Sequence, residues 1–224
     1  MTTGCSSGPD VVDSSDVRTS MISATFKLED LSDGNYLAHV TLRESWEEDD
    51  DTQPTAFLEL DGGDELRLTY GDTDVPLMPV IEDHGLRLHY VANFQAPVDL
   101  EAVEFVFQRA TETLTSSVEI RKLEIVSPSD TGSVPIDPGF LIQTNSPHKM
   151  LDVSGPCIEP MHIQWILSTT HFFMTPPASA TDGCELTIET QASNDGEISA
   201  AFHAETSQIR SYTTRKVTVT LSDH

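Results

Sequence analysis

The densest run of chemically capable side chains is Glu44-Ser-Trp-Glu-Glu-Asp-Asp-Asp51, with six carboxylates in eight positions around Trp46. Hard cations such as Ca²⁺ collect several oxygen ligands at ~2.4 Å, and a loop bearing Glu47, Glu48, Asp49, Asp50 and Asp51 can supply them. The run lacks the Asp-x-Asp-x-Asp-Gly spacing of a dedicated calcium loop. Weak Ca²⁺ binding is therefore one reading, and a solvated acidic loop is the plainer one. A third reading uses Trp46. An aromatic ring beside charge has the composition of an interface hot spot. On that reading Trp46, Glu47, Glu48, Asp49, Asp50 and Asp51 form a surface for a partner bearing a basic patch.

Methionine lies near histidine three times, as His148-x-Met150, Met161-His162 and His171-x-x-Met174. Thioether and imidazole suit copper. Alternate residues of a strand share a face, so His148 and Met150 can point the same way. The metal-ligand candidates are thus His148, Met150, Glu47 and Asp49. Core methionines beside surface histidines explain the same pattern, and the expectation is that no cofactor or metal is required. Enzymatic signatures are missing: there is no Gly-x-Ser-x-Gly, no Gly-x-x-x-x-Gly-Lys and no His-Glu-x-x-His. Each of those places a nucleophile, a phosphate cradle or a zinc ligand pair. A triad assembled only in space leaves no such trace. The expectation is a non-enzyme.

Charge narrows the partners. The 224 residues carry 12 Lys and Arg against 37 Asp and Glu, a formal charge of −25. Such a field repels nucleic acid and anionic membrane surfaces. No apolar run approaches the ~20 residues that span a bilayer. Lysine occurs at only four positions. Salty surroundings, which screen the repulsion, and a highly solvated extracytoplasmic domain account for this equally well.

The three cysteines divide into one and two. Cys157 and Cys184 are 27 positions apart. A bridge closing that loop contributes about 3.5 kcal/mol in the chain-entropy model and persists only in oxidising compartments. Unbridged, Cys184 is a small buried apolar residue. Cys5 stands apart in Thr2-Thr3-Gly4-Cys5-Ser6-Ser7-Gly8.

The elements that carry these groups read as strands. Residues 1–20 are rich in Ser, Thr, Gly and Asp and behave as a tether with a reach of ~20 Å. Beyond them, Tyr36, Ala38, Val40 and Leu42 alternate with more polar residues, as do Leu66, Leu68 and Tyr70, then Leu88, Tyr90 and Ala92. Period-two alternation is the mark of a half-buried strand. Pro76 and Pro79 suit an edge strand, since each removes a ladder donor. Between Asp99 and Leu114 a helical spacing competes with Val103, Phe105 and Phe107 in strand alternation, and strands are favoured. In Val118–Val126 the apolar phase slips, which a bulge at Arg121-Lys122 reconciles. Asn194-Asp195-Gly196 signals a hairpin turn, with Ile198, Ala200 and Phe202 on the return strand. Cys184, Leu186 and Ile188 share one face.

Turn signals every 8–12 residues or so indicate sandwiches. The expected fold is all-β: a tether over 1–20, an antiparallel β-sandwich over 21–127, a linker at 128–133, and a second, disulfide-bridged sandwich over 134–224. The immunoglobulin-like type is the commonest form. The order Cys157, Trp165, Cys184 fits it, although the cysteine spacing is short for its usual bridge. One 224-residue sandwich or barrel is the alternative.

Cys5-Ser6-Ser7, Ser116-Ser117-Val118-Glu119-Ile120, Val153-Ser154-Gly155-Pro156-Cys157-Ile158 and Cys184-Glu185-Leu186-Thr187-Ile188 before the Asn-Asp-Gly turn together resemble bacterial outer-membrane and surface lipoproteins with Ig-like β-sandwich domains. The resemblance implies a lipid on Cys5, removal of Met1 to Gly4, a bridged second domain and an outer-membrane address. Without it, Cys5 is a stray thiol in a disordered tail. The expected function is non-catalytic binding or assembly with a protein at the outer membrane or cell surface, the membrane itself being reached only through the lipid. Periplasmic calcium or copper binding and polysaccharide binding are the alternatives.

Overall fold

The computed structural model of the chain describes residues 11–45, 56–82, 87–148, 150–164 and 170–223, with the backbone alone for 161–164. Trp46, Glu47, Glu48, Asp49, Asp50 and Asp51 lie outside the described residues, as do Cys5 and Trp165. Apart from two single 3-10 turns, Ser14–Asp16 and Thr19–Met21, the described regular elements are all strands. The all-β expectation holds. The strands form several sheets, as in β-sandwiches. The described residues divide between two compact units: unit 1 draws on 1–29, 34–120 and 194–211, and unit 2 on 30–33, 121–193 and 212–224.

Unit 1 contains β1 (Val11–Asp13), β2 (Ile22–Asp30), β3 (Asn35–Glu44), β4 (Phe57–Glu59), β5 (Glu65–Tyr70), β6 (Thr73–Pro76), β7 (Met78–Glu82), β8 (Arg87–Gln95), β9 (Ala102–Gln108) and β10 (Thr113–Glu119). One sheet runs β1-β4-β3-β2, with β8 pairing β3 and β7 pairing β8; another runs β10-β9-β5-β6. The alternation decides the faces. Tyr36, Ala38, Val40 and Leu42 are buried, and so are Val103, Phe105 and Phe107. Phe26 meets Phe105 at 5.1 Å and Phe202 at 5.8 Å between ring centroids, joining the inner faces in one core. Such tilted aromatic contacts add to the burial of area itself. Gly34 turns β2 into β3 at φ +75°, where a Cβ would stand 2.6 Å from the Ala96 carbonyl oxygen. The proline-bearing strands are edges: β6 closes its sheet, and β7 pairs only β8 among the described strands.

Unit 2 contains β11 (Ile125–Ser127), β12 (Ser133–Pro135), β13 (Phe140–Thr144), β14 (Met150–Gly155), β15 (Ile158–Gln164), β16 (His171–Met174), most of β17 (Glu185–Asp195) and residues 212–222 of β18 (Gln208–Ser222). The order β18-β17-β14-β15 makes one sheet, with β12 parallel to β18, and β11-β13-β16 makes another. Leu151, Val153, Leu186, Ile188, Val219 and Leu221 are fully buried between them with Phe140 and Ile142. Cys157 and Cys184 are bridged, with Cα atoms 6.3 Å apart. Cys184, Leu186 and Ile188 share the buried face, as their parity requires.

Several expectations change. Residues 11–20 are not a tether: β1 lies parallel to β4, and Ser14 and Val17 are buried. No strand spans Val118–Val126. β10 ends at Glu119, Ile120 enters the core of unit 1, and β11 begins in unit 2 at Ile125. The phase slip marks a change of core rather than a bulge. Residues 128–133 are stitched to β18: Thr131 donates its amide to the Thr218 carbonyl at 2.6 Å, and Asp130 Oδ1 accepts the Thr218 amide at 2.8 Å. Nor is Asn194–Gly196 a hairpin turn. β17 runs through Asp195, and Gly196 packs so closely that a Cβ would stand 2.1 Å from the Ser117 carbonyl oxygen. Ile198, Ala200 and Phe202 follow as a loop holding one isolated bridge, Glu197 to Ser117.

Candidate functional site

Unit 1 carries an open cleft of ≈ 690 Å³, lined by residues 15–20, Gly62, Asp64, the 109–112 turn, Ala200 and Ala201. Its floor is built by Arg109, the residue that follows β9. The Arg109 amide donates to the Glu112 carbonyl at 2.8 Å and tightens the turn into β10. The guanidinium stands over the Phe107 ring, 5.6 Å from its centroid. Its Nε donates to Asp64 Oδ2 at 3.2 Å, Nη1 to the Val17 carbonyl at 3.0 Å and Thr19 Oγ1 at 2.8 Å, and Nη2 to the Ser14 carbonyl at 2.6 Å. The rigid fork of arginine suits such convergent acceptors.

Asp64 is shared. Ser14 Oγ donates to its Oδ2 at 2.8 Å and accepts the Asp61 amide at 3.1 Å. Thr19 Oγ1, while accepting from Arg109, donates to Glu112 Oε1. The Asp64 and Arg109 side chains are only 3 % and 10 % exposed. Their charges are paired and hydrogen-bonded, the condition for burying them. The two 3-10 turns follow from this: they aim the Ser14 and Val17 carbonyls at one cation.

Ser45, the residue before Trp46, is tied down near this cleft. Ser45 donates its amide to the Met21 carbonyl at 2.7 Å, and Glu44 donates to the Ala56 carbonyl at 3.0 Å. Residues 44 and 45 are thus tied to Ala56 and to Met21, the latter one residue beyond the stretch that lines the cleft. Asp16 and Glu112 line the cleft itself. Hydroxyl, carboxylate and guanidinium groups thus meet at this cleft.

A second cluster lies on the other face of β3 and β8. The His39 and His89 rings stack at 4.3 Å between centroids and 29° between planes, and His89 Nε2 is 3.5 Å from Glu82 Oε1 of β7. Burial holds His39 below its ordinary pKa, and the neighbouring His89 and Lys27 add to this, while Glu82 and Glu29 oppose it. Sequence reading treats His39 as a wet-face residue. The β3–β8 pairing that brings the rings together leaves no mark on local pattern.

The Met/His candidates do not assemble a metal site among the described residues. His148 is buried, its Nδ1 lies 3.2 Å from Thr144 Oγ1, and burial lowers its pKa. Met150 opens β14 opposite Gln191. His171 is exposed, whereas Met174, three residues on, is buried in the core. No group of three or more His, Cys, Asp or Glu able to hold a metal occurs among the described residues. No protein-family model, curated protein or solved structure matches the chain.

Proposed function

We propose that this chain is a non-catalytic, extracytoplasmic binding or assembly protein that is anchored by a lipid on Cys5 and contacts a basic protein partner at the bacterial outer membrane. The observation that carries the reading is the hydrogen bond from the Ser45 amide to the Met21 carbonyl, one residue from the lining of the Arg109 cleft. Asp16 and Glu112 line that cleft, and Trp46, Glu47, Glu48, Asp49, Asp50 and Asp51 follow Ser45 in sequence. A partner with lysine or arginine side chains meets opposite charge at this surface, which favours fast association. The Cys157–Cys184 bridge supports an oxidising compartment. For the finer architecture we favour two Ig-like sandwiches.

The test replaces Glu47, Glu48, Asp49, Asp50 and Asp51 with serine. Cross-linking in native outer-membrane extract should join the wild type to a basic protein and lose that product in the variant, with unfolding unchanged. An undiminished product removes the reading. Mass spectrometry of the membrane-extracted protein should find an acylated Cys5 at its N-terminus; an unmodified Met1 contradicts the anchor.

A further inference from the structure

Unit 2 carries an open sheet edge. In the sheet β11-β13-β16, β13 is central and β16 is an edge. The Thr144 amide donates to the Thr170 carbonyl at 2.8 Å, just before β16 begins. In an antiparallel ladder every second residue bonds the same neighbour. With Ile142 opposite Phe172 and Phe140 opposite Met174, residues 170, 172 and 174 bond β13, and His171 and Phe173 turn their N–H and C=O groups away from it. Among the described residues no strand pairs that side.

The side chains add an apolar surface. Leu141 and Phe173 lie directly opposite each other and are 40 % and 54 % exposed, while Phe140, Ile142 and Met174 point into the core. Val126 of β11 is 53 % exposed. Natural edges are defended by short length, lysine, inward charge, proline, a bulge or a covering loop, and β16 has short length alone among the first four. The four residues of β16, His171-Phe172-Phe173-Met174, contain no charged residue and no proline.

Charge selects the occupant. A second copy would bring the same −25 against itself, and unit 2 alone has eleven Asp and Glu against five Lys and Arg. Like fields oppose that pairing and favour a cationic partner.

We propose that β16 is a docking edge. An extended, basic segment of a partner protein adds to it as a further strand, bonds the main chain of His171 and Phe173, and lays an apolar side chain on Phe173 and Leu141. Strand addition of this kind takes affinity from main-chain bonds and specificity from alternate side chains. The proposal adds a second surface to the binding reading and does not use the cleft of unit 1.

The test titrates the ¹⁵N-labelled full chain with a capped peptide of alternating lysine and valine. Two twins serve as controls: one N-methylated on the amides that would face the ladder, and one with glutamate in place of lysine. The lysine peptide should shift His171 and Phe173 amides and protect them from exchange. The N-methylated twin should bind about tenfold more weakly, the loss expected for two main-chain hydrogen bonds. Leu141→Asp, a change at an exposed position, should weaken the lysine peptide comparably and leave the unit 1 resonances in place. Equal binding of either twin overturns the proposal. So do shifts confined to unit 1, or concentration-dependent dimerisation that moves the β16 signals without peptide. Failure here leaves the unit 1 reading intact, because that reading is tested by the loop variant and its cross-link.

Discussion

Unit 1 gathers Phe26, Phe105, Phe107 and Phe202 at its centre and ties residues 14–19 down with Arg109. Unit 2 has a smaller aliphatic core around Leu151, Val153, Leu186 and Ile188, closed by a sulfur bridge. Their charge differs as much. Unit 1 holds 26 Asp and Glu against 7 Lys and Arg, a net of −19; unit 2 holds 11 against 5, a net of −6. Self-repulsion of that size works against a compact state, and a large aromatic core offsets it. The less charged unit has less to bury and relies on a covalent constraint. The two candidate surfaces differ in the same way: a cleft lined by Arg109, Asp16 and Glu112 in unit 1, an apolar strand edge in unit 2.

The contrast can be broken at its strongest points first. Arg109→Ala leaves Asp64 buried without its cation, removes the guanidinium donor to the Val17 carbonyl and leaves the Ser14 carbonyl with the Val17 amide alone. Unit 1 should lose about 3–5 kcal/mol in denaturant unfolding. Arg109→Lys should recover little of this, because an ammonium cannot span four acceptors. A loss below about 1 kcal/mol would mean that the cleft floor is not a structural tie. Next, Cys184→Ser should cost unit 2 about 3.5 kcal/mol and leave unit 1 unchanged. Gly196→Ala forces a methyl against the Ser117 carbonyl and should cost unit 1 about 1–3 kcal/mol.

The smallest effect is set by pH. Burial and His89 hold the folded pKa of His39 below 6.5, so the unfolded chain binds the proton more readily. The stability of unit 1 should be complete above pH ~6.5 and fall as the pH drops below it. His39→Gln should flatten that acid limb. In unit 2, burial alone lowers the pKa of His148, and His148→Gln should flatten the corresponding limb there. Unfolding midpoints across the pH range, followed unit by unit, separate the two.

Much of the fold is legible in period-two alternation. Tyr36, Ala38, Val40 and Leu42 are buried as their spacing predicts, and so are Leu66 and Leu68. The cysteine pair is legible too, since Cys184 shares parity with Leu186 and Ile188. Distant pairing is not. Residues 11–20 look like a tether because the group that orders them, Arg109, stands 95 positions beyond Ser14. The slip in Val118–Val126 is visible in sequence, but a bulge and a change of core give the same local signal. Gly196 reads as a turn residue, yet a glycine is needed there because another strand's backbone passes close by. The acidic segment stands out in composition; the cleft depends on Ser14, Asp64 and Arg109 meeting in space.

The two β units draw stability from different sources, one from an aromatic core and its arginine tie, the other from a disulfide bridge. Hydrogen exchange of the intact chain with and without a thiol reductant tests this most directly. Reduction should speed exchange in β14 and β17 of unit 2 and leave β3 and β9 of unit 1 as slow as before. Equal protection of β14 and β17 in both conditions would contradict the account.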